Sequence, residues 1–355
     1  MVTIREIAEK SGVSIATVSN IINNKGKASP ETVERVRKVI EEMNYVPNAV
    51  ARNLKSKRSK SIGVIVEDMT IFSIPDILDG ITDYCDRHNY QVFLVNLRLF
   101  MNYNDTYYNK NFYYEKVHKE ILKLVNLQVE GIIYVSAHER EIPVFPEDMN
   151  LPAVMAYGYS KRNDIPSVVV DDRNGMSQIT ECVMKAGHKK IGLITGKRDS
   201  MHAQARLIGF EETLFRHGGV MEPELIQIGD WERKSGYEST DILLKQGVTV
   251  IMCMNDLMAG GVYDRLEERG LVPGRDVSVT GYDDRQLSAY YRPALTTVRL
   301  PLHDIGYKAG EVLLKMLDDH YNDNPKTDLE LRSDKHDIYE VPCKLELRKS
   351  LVKPQ

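Results

Sequence analysis

Two carboxylate pairs, Asp171-Asp172 and Asp283-Asp284, are the residue types in this chain most suggestive of catalysis. Carboxylates flanking a bond are the minimum for cleaving a glycoside. Here each pair is consecutive in sequence, and neighbours at the end of one strand point apart. No glycosidase motif surrounds either pair. No G-x-x-x-x-G-K-[ST] loop supports nucleotide hydrolysis, and no G-x-S-x-G elbow supports acyl transfer. The polar residues at strand ends therefore suit binding, and the chain is expected not to be an enzyme. Trp231, the single tryptophan, follows an apolar run in a Gly-Asp-Trp turn. Its flat apolar face suits the C–H face of a sugar ring. Asp283, just past VSVTGY, could accept two hydroxyl bonds. Asn255, just past TVIMCM, offers donor and acceptor together. Cys85, Cys182, Cys253 and Cys343 lie far apart with no C-x-x-C pair, the pattern of reduced core thiols. No metal and no cofactor is expected.

A second set of residues poses a different chemistry. "VSIATVSNIIN" (13–23) carries no charge. A helix here would present Ser14, Ala16, Ser19, Asn20 and Asn23 outward instead of the usual charged face. Small polar groups permit close approach: serine and threonine bond phosphates, Asn reads base edges, and Ala or Ile touches thymine methyls. Charge agrees with a polyanionic partner. Residues 1–60 hold twelve Lys and Arg against six Asp and Glu, while the rest of the chain holds 35 against 45.

The elements that must carry these residues follow from spacing. Thr3 with Glu6 forms a capping box, Gly12 breaks the first helix, and Ser14 can cap the second. Ser29-Pro30 opens a third, with Val33, Val36, Ile40 and Met43 at helical spacing. Helix, glycine turn, helix is the helix-turn-helix arrangement, with the second helix suited to a DNA major groove; from periodicity alone, a plain three-helix bundle stays open. KSKRSKS (55–61) reads as a linker. From Ser61 on, apolar runs such as IGVIV, EGIIYV, KIGLIT and TVIMCM alternate with amphipathic stretches. This βαβ rhythm predicts parallel sheets covered on both faces. Its length predicts an α/β core of two lobes with a cleft at the strand ends. Glu67, Phe72 and His202 are further candidates on the cleft rim. FMNYNDTYYNKNFYY (100–114) fits no element and reads as a long loop. No apolar run approaches the roughly 20 residues needed to cross a bilayer. MVTIREIAEK lacks the apolar stretch of a signal peptide, so a cytoplasmic protein is expected.

The first 66 residues, with D-D-R-N-G at 171–175, GHKKIGLITG at 187–196, GDWERKSGY at 229–237 and GRDVSVTGYDD at 274–284, resemble lactose-repressor-type (LacI/GalR family) transcription regulators. The resemblance covers nearly the whole chain; residues 97–114 and 321–342 depart from it as insertions. It implies a helix-turn-helix domain (1–46), a hinge helix and linker (47–60), and a body (61–348) like a type I periplasmic binding protein. It implies a homodimer on a double-stranded, pseudo-palindromic operator. Ile15, Ala16 and Asn20 would face base edges; Ser14, Thr17, Ser19 and Asn23 would meet phosphates. Arg is more usual in the family at the place of Asn20. Ala49 to Leu54 matches the hinge helix, and Leu54 the leucine wedged into the minor groove. Arg206 matches an effector-contacting arginine. The function so implied is a repressor of a carbohydrate-utilisation operon, relieved when a sugar fills the cleft. The alternative is a corepressor, such as a purine, a sugar phosphate or a partner protein, that strengthens DNA binding; a sugar-transport protein fits less well. The ending LVKPQ lacks a heptad tail, which favours a dimer over a tetramer.

Overall fold

The structure, a computed structural model, describes residues 2–22, 28–45, 58–108, 112–321 and 337–354. The chain forms two compact units, Met1–Lys60 and Ser61–Gln355.

The first unit holds helices α1 (Ile4–Ser11), α2 (Ile15–Ile22) and α3 (Pro30–Glu42). Local chemistry sets their ends. The Thr3 hydroxyl accepts from the Glu6 N–H, and the Glu6 carboxylate accepts from the Thr3 N–H at 2.7 Å. Gly12 closes α1 at φ +65°, a left-handed conformation that glycine adopts without a Cβ penalty. The Ser14 hydroxyl accepts from the Thr17 N–H to start α2, and Ser29 with Pro30 starts α3. Ile7, Ala8, Val18, Ile21, Val36 and Val39 make the small core, and Lys10 pairs with Glu42 at 3.1 Å.

The second unit contains two parallel sheets. Its first lobe is built on β1 (Ser61–Val66), α4 (Ile74–Arg87), β2 (Gln91–Asn96), α5 (Leu99–Tyr103), α6 (Tyr114–Asn126), β3 (Gly131–Val135) and β4 (Glu141–Ile142). It continues through β5 (Ala153–Ala156), β6 (Tyr159–Ser160) and β7 (Ser167–Asp171). The second lobe follows: α7 (Asp172–Lys185), β8 (Ile191–Thr195), α8 (Met201–Arg216), β9 (Ile226–Ile228) and α9 (Arg233–Lys245). It ends with β10 (Val250–Cys253), α10 (Asp256–Glu268) and β11 (Ser278–Thr280). The chain then crosses back through β12 (Thr297–Arg299) to α11 (Leu302–Tyr321) and β13 (Ile338–Pro342). It recrosses through β14 (Lys344–Glu346), which pairs antiparallel with β12.

The first lobe's six-stranded sheet runs β13-β7-β5-β3-β1-β2, and the second lobe's four-stranded sheet runs β11-β10-β8-β9. β1 and β3 are fully buried, as continuous apolar runs in a covered parallel sheet must be. In each sheet the chain reverses direction once, between β1 and β3 and between β8 and β10. Crevices at the carboxyl ends of strands beside such a reversal are where open α/β sheets take ligands.

Two expectations are corrected here. The Tyr-rich stretch, expected as a long loop, carries the helix α5 and a 3-10 turn (Asn104–Tyr107), and Tyr107 and Tyr113 are buried in the core beneath it. Its order comes from distant partners, which local composition does not reveal. Of the second expected insertion (321–342), Tyr321 ends α11 and Ile338–Pro342 is a strand of the main sheet, parallel to β7.

Candidate functional sites

In the first unit α2 has no acidic or basic residue in its end turns, and it buries Val18 and Ile21. Ser14, Ile15, Ala16 and Asn20 are exposed, while Thr17 and Ser19 are half-buried. Ile15 shows 48% of its surface, a large fraction for an isoleucine in a helix. The Ser14 and Thr17 hydroxyls lie 2.8 Å apart at the cap. The outward face is thus small, neutral and apolar in patches. Asn23 and Leu54 lie outside the described residues, as does the whole Ala49–Leu54 segment.

In the second unit the two strand reversals carry different side chains. At the carboxyl end of β8, Gly196 lies flat against the indole of Trp231: a Cβ at Gly196 would fall 2.0 Å from the ring. Trp231 itself has φ +76°, a conformation rare for a residue with a Cβ. Asn255 holds it there, donating from Nδ2 to the Trp231 carbonyl at 2.8 Å while its Oδ1 accepts from Met258 N–H and caps α10. Arg206, 2% exposed, stacks on Tyr282 at 3.7 Å and sits 5.6 Å from the Trp231 ring. Its Nε donates to Asp172 at 2.8 Å, and Nη1 lies 3.5 Å from Asp283. The other oxygen of Asp172 meets His202 Nδ1 at 2.6 Å. In the neutral ring His202 Nε2 accepts from the Glu139 N–H of the first lobe at 3.2 Å, with the ring proton on Nδ1.

Buried carboxylates outnumber cations in this network, and their proton affinities record it. Burial pushes Glu139 up to about 7 against the pull of His202, and Asp283 up to about 6 against Arg206 and Arg285. Asp256 stands well above the carboxylate range through burial and the neighbouring Asp283. Burial disfavours the charge on Asp172 too, yet Arg206 and His202 bring it down to about 2. Burial opposes a charge on His202, but Glu139 and Asp172 carry its affinity above the ordinary value. Each Asp pair divides as expected for adjacent residues. Asp171 caps α7 by accepting from Asn174 N–H, while Asp172 turns inward. Asp284 turns to Arg299 and Arg348, Asp283 toward Arg206.

Beside this network a crevice of about 640 Å³ opens between the lobes, lined by Phe72, Asp283, Asp284, Arg285, Leu300 and His303 among others. The Arg285 guanidinium stacks on Phe72 at 4.1 Å and so bridges the lobes.

Two candidates stand elsewhere than on the cleft rim. Glu67, at the end of β1, is completely buried. Its carboxylate accepts from Arg140 Nη2 at 2.6 Å, Tyr134 at 2.9 Å, Ala137 N–H at 2.9 Å and Tyr107 at 3.4 Å. The first lobe's strand reversal is therefore filled by the protein's own tyrosines. His202 is 4% exposed and lies within the network. Residues not anticipated from sequence are Glu139, His138, Asp172 in its inward role, Tyr282 and Arg285. Only Asp172 gave a signal, as the second member of a pair at a helix start.

Residues 3–48 match the family of bacterial regulatory proteins, lacI family, and residues 180–350 match the periplasmic binding protein-like domain. The regulator RegA of Clostridium saccharobutylicum is 32% identical over 332 residues, spanning 92% of this chain and 96% of its own. The chain belongs to the lacI family of bacterial regulators. Catabolite control protein A of Priestia megaterium is 30% identical over 98% of this chain and 99% of its own. The HTH-type transcriptional repressor PurR of Vibrio atlanticus is 30% identical over 90% of this chain and 93% of its own. A crystal structure of the Lac repressor dimer bound to operator and the anti-inducer ONPF superposes with a TM-score of 0.74, at 27% identity over 99% of each chain. The regulator is thus a DNA-binding transcriptional repressor of this family and not an enzyme, with a helix-turn-helix unit and a periplasmic-binding-protein-like body. Among the described residues no helix is long and apolar enough to cross a membrane.

Proposed function

We propose that this repressor binds a pseudo-palindromic operator as a homodimer and releases it when a neutral sugar occupies the cleft beside Trp231. The Lac repressor relative is a dimer on operator DNA, which supports the assembly. On the DNA side the reading assigns Ile15, Ala16 and Asn20 to base edges, and Ser14, Thr17, Ser19 and Asn23 to phosphates. Leu54 takes the minor groove of the operator centre. On the effector side it assigns Trp231 to the sugar's apolar face and Arg206, Asp283 and Asn255 to its hydroxyls. Phe72 lies at the mouth. Glu67 and His202 then act beneath the ligand, holding Arg140 and Asp172.

The observation that carries the ligand class is the charge balance. Arg206 is already matched by Asp172 and Asp283, and the surrounding carboxylates are short of cations. A phosphate or carboxylate ligand would meet like charge, whereas hydroxyls can donate to carboxylate oxygens. Coupling between the cleft and DNA of this kind is typically about 1–3 kcal/mol.

A thermal-shift panel of neutral sugars, sugar phosphates and nucleosides tests the ligand class. A ligand at 100 times its Kd stabilises by about 2.7 kcal/mol. Stabilisation by neutral sugars supports the reading; stabilisation by phosphorylated compounds or nucleosides alone refutes it. Selection from randomised DNA, followed by titration of the selected site with and without the stabilising sugar, gives the sign of coupling.

A further inference from the structure

We propose that the stretch Leu99–Tyr108 is the access-controlling wall of the effector cleft, fastened across it by an ion pair between Asp105 and Lys197. The proposal rests on the cleft being the effector site.

The stretch is rooted in the first lobe over the carboxyl ends of β1 and β3. The Leu99 N–H donates to the Glu67 carbonyl at 2.9 Å, and the Met101 N–H to the Asp68 carboxylate at 2.9 Å. Tyr107 is completely buried, with its hydroxyl on Glu67. The Tyr108 ring packs 5.1 Å from His138, whose ring is 6.5 Å from His202 of the other lobe. The Arg140 guanidinium lies over both tyrosines, at 5.4 and 5.0 Å. The root is therefore anchored to the first lobe by hydrogen bonds and by buried aromatic packing.

The tip behaves differently. Asp105 reaches out of the first lobe and accepts from Lys197 Nζ of the second at 2.8 Å. Lys197 directly follows Gly196, the residue on which the Trp231 ring lies. The pair thus joins this stretch to the wall that holds the indole. Both side chains are about half exposed, 52% and 43%. A pair so exposed is screened by salt and holds weakly, which suits a fastening that must open for exchange. Strong attachment at one end and weak attachment at the other is what a hinged wall requires. Opening the pair would uncover the Trp231 side of the cleft while leaving the Glu67–Arg140 root in place.

Acrylamide quenching of Trp231 in the full-length, ligand-free protein tests this, because the chain has one tryptophan. Loss of an exposed pair shifts an open–closed equilibrium by about 1.5- to 5-fold. Asp105→Ala and Lys197→Ala should each raise the quenching constant toward that factor at low salt. The charge swap Asp105→Lys with Lys197→Asp should return it to the parent value. About 0.5 M NaCl should raise quenching of the parent and leave the single variants unchanged, since it shortens electrostatic range to a few ångströms. Unchanged quenching in both single variants overturns the proposal, as does a swap that fails to restore it. No effector enters the measurement, so failure here is separate from failure of the sugar reading, which the thermal-shift panel decides.

Discussion

Asp283→Asn should make the repressor body less sensitive to pH. Asp283 is 7% exposed on its side chain, and burial lifts its proton affinity to about 6 although Arg206 and Arg285 oppose it. Its ordinary value is 3.8. Between those values the unfolded chain has released the proton while the folded chain keeps it. Stability then falls as pH rises, because the folded state binds more protons. The contribution is fully present below about 3.8, declines through the window, and is gone above about 6. At 1.36 kcal/mol per tenfold change in proton affinity, the window is worth at most about 3 kcal/mol. Asn is nearly isosteric, and it tolerates the left-handed backbone at residue 283, where φ is +103°. It carries no titrating proton. Urea unfolding followed by Trp231 emission reads the Ser61–Gln355 unit, which contains the only tryptophan. The stability of Asp283→Asn relative to the parent should grow by about 1–2 kcal/mol between pH 4.5 and pH 7. A slope of the same sign should persist in the variant, because Glu139, raised to about 7, and His202, also raised, lose their contributions as pH climbs. A difference between variant and parent that is flat across this range would refute the burial argument for Asp283.

Gly196→Ala places a Cβ within 2.0 Å of the Trp231 ring; the indole should swing outward, its emission should shift to the red, and the body should lose about 1–3 kcal/mol. Unshifted emission would contradict the packing. Arg140→Met strands the fully buried Glu67 carboxylate and should cost about 3–5 kcal/mol in urea unfolding, most of it recovered by adding Glu67→Gln. Asn20→Arg should move the preferred base at one position of each half-site from adenine toward guanine by about 1–3 kcal/mol, read by parallel selections at one salt concentration. Identical selected motifs would leave Asn20 a phosphate contact. Leu54→Ala should weaken specific operator binding and barely change non-specific affinity, which rests on phosphates; unchanged specific binding would remove the wedge role.

What was legible in sequence was local. The Thr3–Glu6 box, the Gly12 turn and the Ser29-Pro30 start each draw on groups within three or four residues, and each stands where spacing placed it. The buried strands were legible because a covered parallel sheet demands unbroken apolar runs, as in Ser61–Val66 and Gly131–Val135. What escaped was every feature whose cause lies far along the chain. Glu67 reads as a carboxylate on the cleft rim until Arg140, 73 residues on, is set against it. The tyrosines of 103–114 show no helical period, because Tyr107 and Tyr113 are held by the distant Glu67 and Arg140 as well as by ring contacts with their neighbours. The Asp171-Asp172 pair marks the boundary between the two cases. Its adjacency correctly implied that the carboxylates diverge, which argued against paired acid–base chemistry. One caps α7 three residues away, a local act. The other joins Arg206 and His202, thirty or more residues distant, and only the fold could say that this inward carboxylate, not Glu67, anchors the arginine of the cleft.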